Sequence, residues 1–393
     1  MLLNRRPLLV ISLAQLLGTS LWFSANAVTI DLMRQWSAPV EQIGWLTSAV
    51  QAGFILGTLV ISITGLADKF PASKIFVTGV VLGAIMNIAF ALLSFNILIG
   101  IAFRFLVGVC LAGVYPMGMK MIVKWAPEKA SWGLSLLVGM LTIGTALPHG
   151  MKAFAASLPW QAVIACSSIL ALAGGVLILK LRDGPSAGKA SQIVPGLRAV
   201  DGLRLAFSRQ EFRKAAIGYF GHMWELYAFW TVVPMFIAEV VTTNADTVSV
   251  LSFTTIAVGA LGCIIGGLAS RRFSSITIAA TALLISAACC IIFALGWNCM
   301  PPSVALAVLG IWGMAVIADS PQFSALSAQS CPPEFVGSAL ALQNAVGFAV
   351  TMASILFATQ SFGAFGSTSA VVLAIGPIIG LLAMFPPSKW RTR

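Results

Sequence analysis

Charge is what this chain has least of. Only 9% of its 393 residues are Asp, Glu, Lys or Arg, against roughly a quarter in soluble domains, and that scarcity excludes an ordinary water-exposed globule. Histidine occurs twice, and the seven cysteines sit singly or as the pair Cys289-Cys290 inside apolar runs, with no Cys-x-x-Cys. Zinc spacing and a disulfide framework are therefore both missing. With no nucleophile beside a base and no cluster of ligating side chains, the pattern fits neither an enzyme nor a metal or cofactor carrier. Rings of repeated charge and a filter loop, which a channel would show, are absent too.

What fills the space is apolar residues, 59% of the chain. They form runs long enough to cross a hydrocarbon core, which takes about 20 residues per helix. Residues 7–30, 42–67, 75–103, 130–151, 153–179 and 247–270 contain no charged side chain. Two longer runs, 273–318 and 335–388, divide at Gly296-Trp297-Asn298-Cys299-Met300-Pro301-Pro302 and around Gln360-Ser361-Phe362-Gly363, both of them turn chemistry. Spans near 98–122, 214–240 and 303–328 hold one interior charge each, Arg104, Glu225 and Asp319. The count reaches twelve, an all-α membrane protein, with the three charges on spans 4, 7 and 10.

The basic residues sort by side. With the N-terminus inside, alternate loops carry Arg5 and Arg6; Lys69 and Lys74; Lys120, Lys124 and Lys129; Lys180 through Lys214; Arg271 and Arg272; and Lys389, Arg391 and Arg393. The opposite face has only Arg34 and Lys152. Because Lys and Arg in short loops mark the cytoplasmic side, both termini are expected there, in a bacterial inner membrane. The net charge of +11 then faces anionic lipid headgroups rather than nucleic acid, for which no motif is present. The first apolar run is too long for a signal-peptide core and lacks a small-x-small cleavage site, so it is expected to remain as span 1.

Features recur along the chain in a fixed order. Arg5-Arg6, Trp22 and Asp31 reappear 208 positions on as Arg213-Lys214, Trp230 and Glu239. Gly57 and Leu66-Ala67-Asp68-Lys69 match Gly259 and Leu268-Ala269-Ser270-Arg271 at an offset of 202, and Pro116 and Pro127-Glu128 match Pro321 and Pro333-Glu334 at 205 and 206. Such order implies an internal duplication. Both copies start on the same side, so they are parallel repeats: a six-helix bundle at 1–180, a polar linker at 181–212 and a second bundle at 213–393.

The loop after span 2, Thr64-Gly65-Leu66-Ala67-Asp68-Lys69-Phe70-Pro71-Ala72-Ser73-Lys74, resembles the major facilitator signature G-x-L-A-D-R-x-G-R-K through its Leu-Ala-Asp-basic core. Span 4 adds Arg104-Phe105-Leu106-Val107-Gly108-Val109-Cys110-Leu111-Ala112-Gly113, similar to the family's R-x-x-x-G-x-x-x-x-G element. Membership implies two six-helix bundles around a central cavity lined by helices 1, 4, 7 and 10, opening alternately to either side. A secondary active transporter is expected, working as a monomer in the lipid bilayer without a cofactor. The family leaves the solute open: a small polar or anionic metabolite moved with protons, or alternatively an amphipathic drug exported by antiport.

An ionisable side chain within a span is costly and marks function. Arg104 lies about 9 Å inside the outer end of its helix at 1.5 Å per residue, and its planar donors suit carboxylates and oxyanions as well as a structural ion pair. Glu225 and His222 are three apart and share a helix face with the aromatic-rich segment that ends at Tyr227. Such a pair handles protons near neutral pH. Asp319 precedes Ser320-Pro321, where a kink frees backbone carbonyls, and Gln322 follows on its face. On span 1, Gln15, Trp22 and Asn26 recur near helical spacing and face the expected cavity. Asp68 and Lys69 are assigned to conformational gating, and His149 with Lys152 to a solvated rim.

Protease added to intact spheroplasts is expected to leave residues 181–212 uncut, while inverted vesicles expose them to cleavage. Cutting from outside would overturn the orientation.

Overall fold

A computed structural model describes residues 6–154, 159–184, 207–241, 245–270, 272–331 and 336–385, and every regular element among them is helical. The first half contains α1 (Pro7–Thr19), α2 (Thr29–Trp36), α3 (Val40–Thr64), α4 (Leu66–Lys69), α5 (Ala72–Leu93), α6 (Ile97–Leu111), α7 (Tyr115–Trp125), α8 (Ala130–Phe154) and α9 (Trp160–Leu181). The second contains α10 (Gln210–Val240), α11 (Ala245–Ala257), α12 (Gly259–Ala269), α13 (Ser275–Gly296), α14 (Pro302–Ala318), α15 (Ser320–Ser330), α16 (Val336–Phe365) and α17 (Ile375–Met384). Of the expected linker, residues 185–206 lie outside the described ones, as do Arg271 and Pro333-Glu334 of the repeat matches.

Twelve crossings emerge once breaks are joined. Nine helical stretches among the described residues are long and apolar enough to span, and one of them, Leu342–Met384, is 43 residues long. At 1.5 Å per residue that is twice a bilayer, so it counts as spans 11 and 12. The two further crossings are span 1, which breaks between α1 and α2, and span 7, which is α10 and carries His222, Glu225 and a charged first turn. Spans 4, 8 and 10 each join two helices, α6–α7, α11–α12 and α14–α15. Pro116 and Pro321, paired by the repeat, both stand in the first turn of the second segment, where a missing N–H is tolerated.

The repeat is also visible in packing. A β-carbon at Gly57 or at Gly262 would collide with the carbonyl oxygen of Val109 or Met314, and one at Gly108 or Gly313 with that of Val50 or Thr255. Each member of the second set stands 205 positions after its counterpart. Span 2 therefore meets span 4 as span 8 meets span 10, backbone to backbone, which only a residue without a side chain permits. Gly57 pairs with Gly262, not with Gly259 as the offset of 202 had it; the loop match at that offset reflects loops of different length.

Two antiparallel seams join the halves. Along α8 and the α11–α12 pair, β-carbons at Gly150, Gly139 and Gly267 would lie 3.1, 3.5 and 3.0 Å from Phe253, Ala260 and Ser135. Along α3 and α16, Gly44 abuts Thr359, Gly363 abuts Glu41, and the Ser48 hydroxyl donates to the Met352 carbonyl at 3.4 Å. Small side chains dominate both lines.

Gly108→Leu and Gly313→Leu should each destabilise the bundle by at least about 2 kcal/mol through overpacking, read as a lower melting temperature in detergent. Gly310→Leu is the control, since nothing lies within 4 Å of its added carbon, and it should melt like the parent.

Candidate functional site

Span 1 stops being helical at Ser20 and resumes with a short 3-10 turn at Asn26–Val28. Such a break strands backbone carbonyls, and a bilayer holds no water to satisfy them. Arg104 supplies the donors. Its Nη1 donates to the Leu21 carbonyl at 3.1 Å, to Ser24 Oγ at 3.2 Å and to Asn87 Oδ1 at 3.1 Å, and its Nη2 donates to the Trp22 carbonyl. Asn87 passes the network on, accepting from Ser24 at 2.9 Å and donating to the Ile164 carbonyl and to Ser168, both at 3.1 Å. Spans 1, 3, 4 and 6 are thus tied at one buried guanidinium, which is fully inaccessible to solvent. Among the described residues it has no carboxylate partner.

In the second half, Glu225 and His222 share a face of α10 but part company. Glu225 Oε1 accepts from Ser286 Oγ at 2.5 Å, from Cys290 Sγ at 3.1 Å and from Trp312 Nε1 at 2.6 Å, all from α13 and α14. The carboxyl therefore points into its own bundle, away from the first half. His222 Nδ1 lies 2.8 Å from Asp319 Oδ1, with both side chains almost wholly buried. That contact replaces the expected His222–Glu225 pair, because the break before Pro321 places Asp319 at the start of α15, against span 7. Gln322 is buried on the first turn of the same helix.

Between the halves lies an aromatic cluster. Trp22 stacks at 5.7 Å on Tyr227 and at 5.9 Å on Phe348, and it meets Phe54 at 5.0 Å. Phe23 adds contacts to Tyr227 at 6.2 Å and Trp230 at 5.9 Å, and Phe54 touches Phe348 at 4.5 Å. Each such pair contributes about 0.5–1.5 kcal/mol beyond area burial, and every one of these except Trp22–Phe54 bridges the two halves. Polar groups left over in and near this layer are informative. Among the described residues, both amide atoms of Gln15 and Gln51, Oε1 of Gln343 and the indole nitrogens of Trp22 and Trp230 are buried without a hydrogen-bond partner. Buried polar atoms without partners are rare in folded proteins.

A cavity of about 520 Å³ opens at the end away from the basic loops, lined in part by Asn26, Asp31, Arg34, His149, Lys152, Glu239 and Asp246. Asn26 lies at its floor, donating to Thr47 at 2.9 Å. Of the expected solvated rim, Lys152 lines the cavity, partly exposed and held by Asp31 at 2.7 Å, whereas His149 is corrected to a buried position at 2% exposure. Their helix end is covered by the broken span 1. Lys69 is exposed at the inner end on α4, and the side chain of Asp68 lies outside the described ones.

Charge led to Arg104, Glu225 and Asp319 in the sequence, but it gave no sign of Asn87, Gln51 or Gln343. Asn87 is the lone amide of its apolar span, Gln51 follows Gln42 in its own, and Gln343 stands beside Asn344, and that was the available signal.

Two broken-helix bundles meeting at a buried aromatic and amide layer define a two-domain membrane carrier architecture. The chain matches the Major Facilitator Superfamily model over residues 9–355, and it belongs to that family. Its fold superposes on the xylose transporter XylE from E. coli, in a partially occluded inward-open conformation, with a TM-score of 0.78 at 15% identity over 100% of both chains. A bacterial homolog of the human lysosomal transporter Spinster, inward-facing and unoccupied, gives 0.72 at 17% identity over 97% of this chain and 96% of that one. In sequence, the niacin transporter NiaP of Acinetobacter baylyi is 28% identical over 132 residues, 31% of this chain and 29% of that protein's length.

Arg104→Lys is expected to lower the melting temperature and abolish transport, since a single ammonium does not reach all four acceptors from two planar nitrogens. Parental stability and activity in that variant would reduce the requirement to a positive charge.

Proposed function

We propose that this protein is a proton-coupled secondary transporter that moves a small polar solute across a bacterial inner membrane by alternating access, with both termini and residues 181–212 on the cytoplasmic side. The observation that carries the reading is the layer of unpartnered amides and indoles at the meeting of the halves. A site for a solute has to present polar atoms that the protein itself leaves unsatisfied. Trp22 of span 1 and Tyr227 of span 7 fall in that layer, and Gln15 lies two turns before Trp22, against Gly118.

Both terminal nitrogens of Arg104 are engaged by the Leu21 and Trp22 carbonyls, Ser24 and Asn87, leaving only Nε without a partner among the described residues, and a group so engaged favours an uncharged polar solute over an anion. Relatives do not choose the solute, since one is named for niacin and another structure is titled a proton:xylose symporter. That symporter and three buried proton-exchanging groups in the second half, Glu225, His222 and Asp319, support protons as the coupling ion. Asp319 and His222 form the contact nearest the inner end, and Glu225 lies deeper.

Glu225 is assigned the coupling proton. Glu225→Gln keeps an oxygen for Ser286, Cys290 and Trp312 while removing the titratable group. In proteoliposomes it should exchange solute across equal concentrations at the parental rate, yet fail to concentrate solute when a proton gradient is imposed. Concentration by the variant would move the assignment to Asp319, tested as Asp319→Asn.

A further inference from the structure

Alternating access requires the contacts between the halves to part on one side and then the other. At the centre those contacts are aromatic faces. Trp22, Phe23 and Phe54 come from the first half, and Tyr227, Trp230 and Phe348 from the second. Trp22 stands nearly parallel to two rings across the boundary, with interplanar angles of 27° to Tyr227 and 21° to Phe348. When the halves separate by the thickness of a ring, the faces that lose one another are left parallel. What fits between them without loss is another flat ring.

The polar atoms around the cluster restrict the rest of the ligand. Gln51 lies one turn from Phe54 on α3. The Trp230 indole nitrogen has no partner among the described residues. Amides offer both a donor and an acceptor, and an indole offers a donor alone. Neither carries charge. A group that both accepts and donates, such as a carboxamide, satisfies this set, and a flat ring meets both parted faces more closely than the puckered ring of a sugar.

Resting on the transporter reading above, we infer that the solute is a small uncharged compound built on a flat aromatic ring, seated between Trp22 on one half and Tyr227 and Phe348 on the other, with a carboxamide-like edge toward Gln51 and the Trp230 indole.

The test compares solutes that differ only in flatness. Purified full-length protein in nanodiscs is titrated calorimetrically with benzamide, nicotinamide, cyclohexanecarboxamide and D-xylose. The two aromatic amides should bind at least tenfold more tightly than cyclohexanecarboxamide, and xylose more weakly still. Trp22→Leu and Phe348→Leu should each shrink the preference for benzamide over cyclohexanecarboxamide to about twofold, because the ring face and not the amide is removed. Equal binding of the flat and puckered amides, tighter binding of xylose, or no binding of any of them overturns the proposal, and these outcomes need only the parent protein. Proton-driven uptake in proteoliposomes is read separately. Accumulation of xylose but not of the aromatic amides would sink the ring and leave the transporter standing. Tight binding of the aromatic amides with no accumulation of any solute would do the reverse.

Discussion

The interaction on which the arrangement hangs is the hold of Arg104 on the carbonyls of Leu21 and Trp22. A helix that breaks inside a bilayer leaves acceptors that no water reaches, at a cost of several kcal/mol each. A guanidinium is suited to that task because its donors diverge in a plane and stay charged. Placing the cation on span 4 fixes where span 1 unwinds, and the unwound stretch turns Trp22 and Phe23 toward the second half. Asn87 then locks spans 3 and 6 onto the same point. The only charge in the middle of the first bundle is thus used to shape the chain that meets the other one.

The second bundle is built on the same template with opposite chemistry. Leu309 stands 205 positions after Arg104, and Asp319 stands 205 after Val114, so the repeat keeps the glycine contacts of spans 2 and 4 while exchanging what is buried between them. Span 7 has no such break, because α10 runs from Gln210 to Val240 with a single intrahelical donor removed at Pro234, and no guanidinium is set against it. Carboxyls are free to occupy the interior instead, one among hydroxyl, thiol and indole donors, the other against His222. Division of labour between the halves follows: the first carries a fixed structural charge, the second carries the groups able to change theirs.

The sequence made the twelve crossings legible because apolar runs, turn residues and the sidedness of Lys and Arg are local properties. Its reading of the charged residues was correct in position and incomplete in partnership. Spacing of three placed His222 beside Glu225 on one helix face, yet a helix face about 60° wide looks onto two neighbours, and Asp319 was brought to one of them by a break that Pro321 signals without measuring. The fully buried His149 was misread as a rim residue since nothing local announces that a broken span will cover it. Gln51, Asn87 and Gln343 went unnoticed for a related reason: an amide in an apolar run is ambiguous between packing and recognition until the positions of the other spans are known.

The seams give the aromatic layer its mechanical place. Gly44, Ser48, Gly139, Ser135, Gly150 and Gly267 line the two interfaces with residues that interlock little, and a long hydrogen bond of 3.4 Å from Ser48 crosses one of them. Surfaces of that kind slide and hinge at small cost, because few rotamers have to change and few polar groups are stranded. Large interdigitated side chains would instead commit the bundles to one packing. The bulky contacts are concentrated at mid-depth, where Trp22, Phe54, Tyr227 and Phe348 meet, with small-residue seams running toward both ends. Resistance to separation is therefore greatest at the layer proposed to enclose the solute and least along the seams on either side of it. A molecule that takes over the stacking of those rings lowers that central resistance, and any molecule that does not must leave it in place.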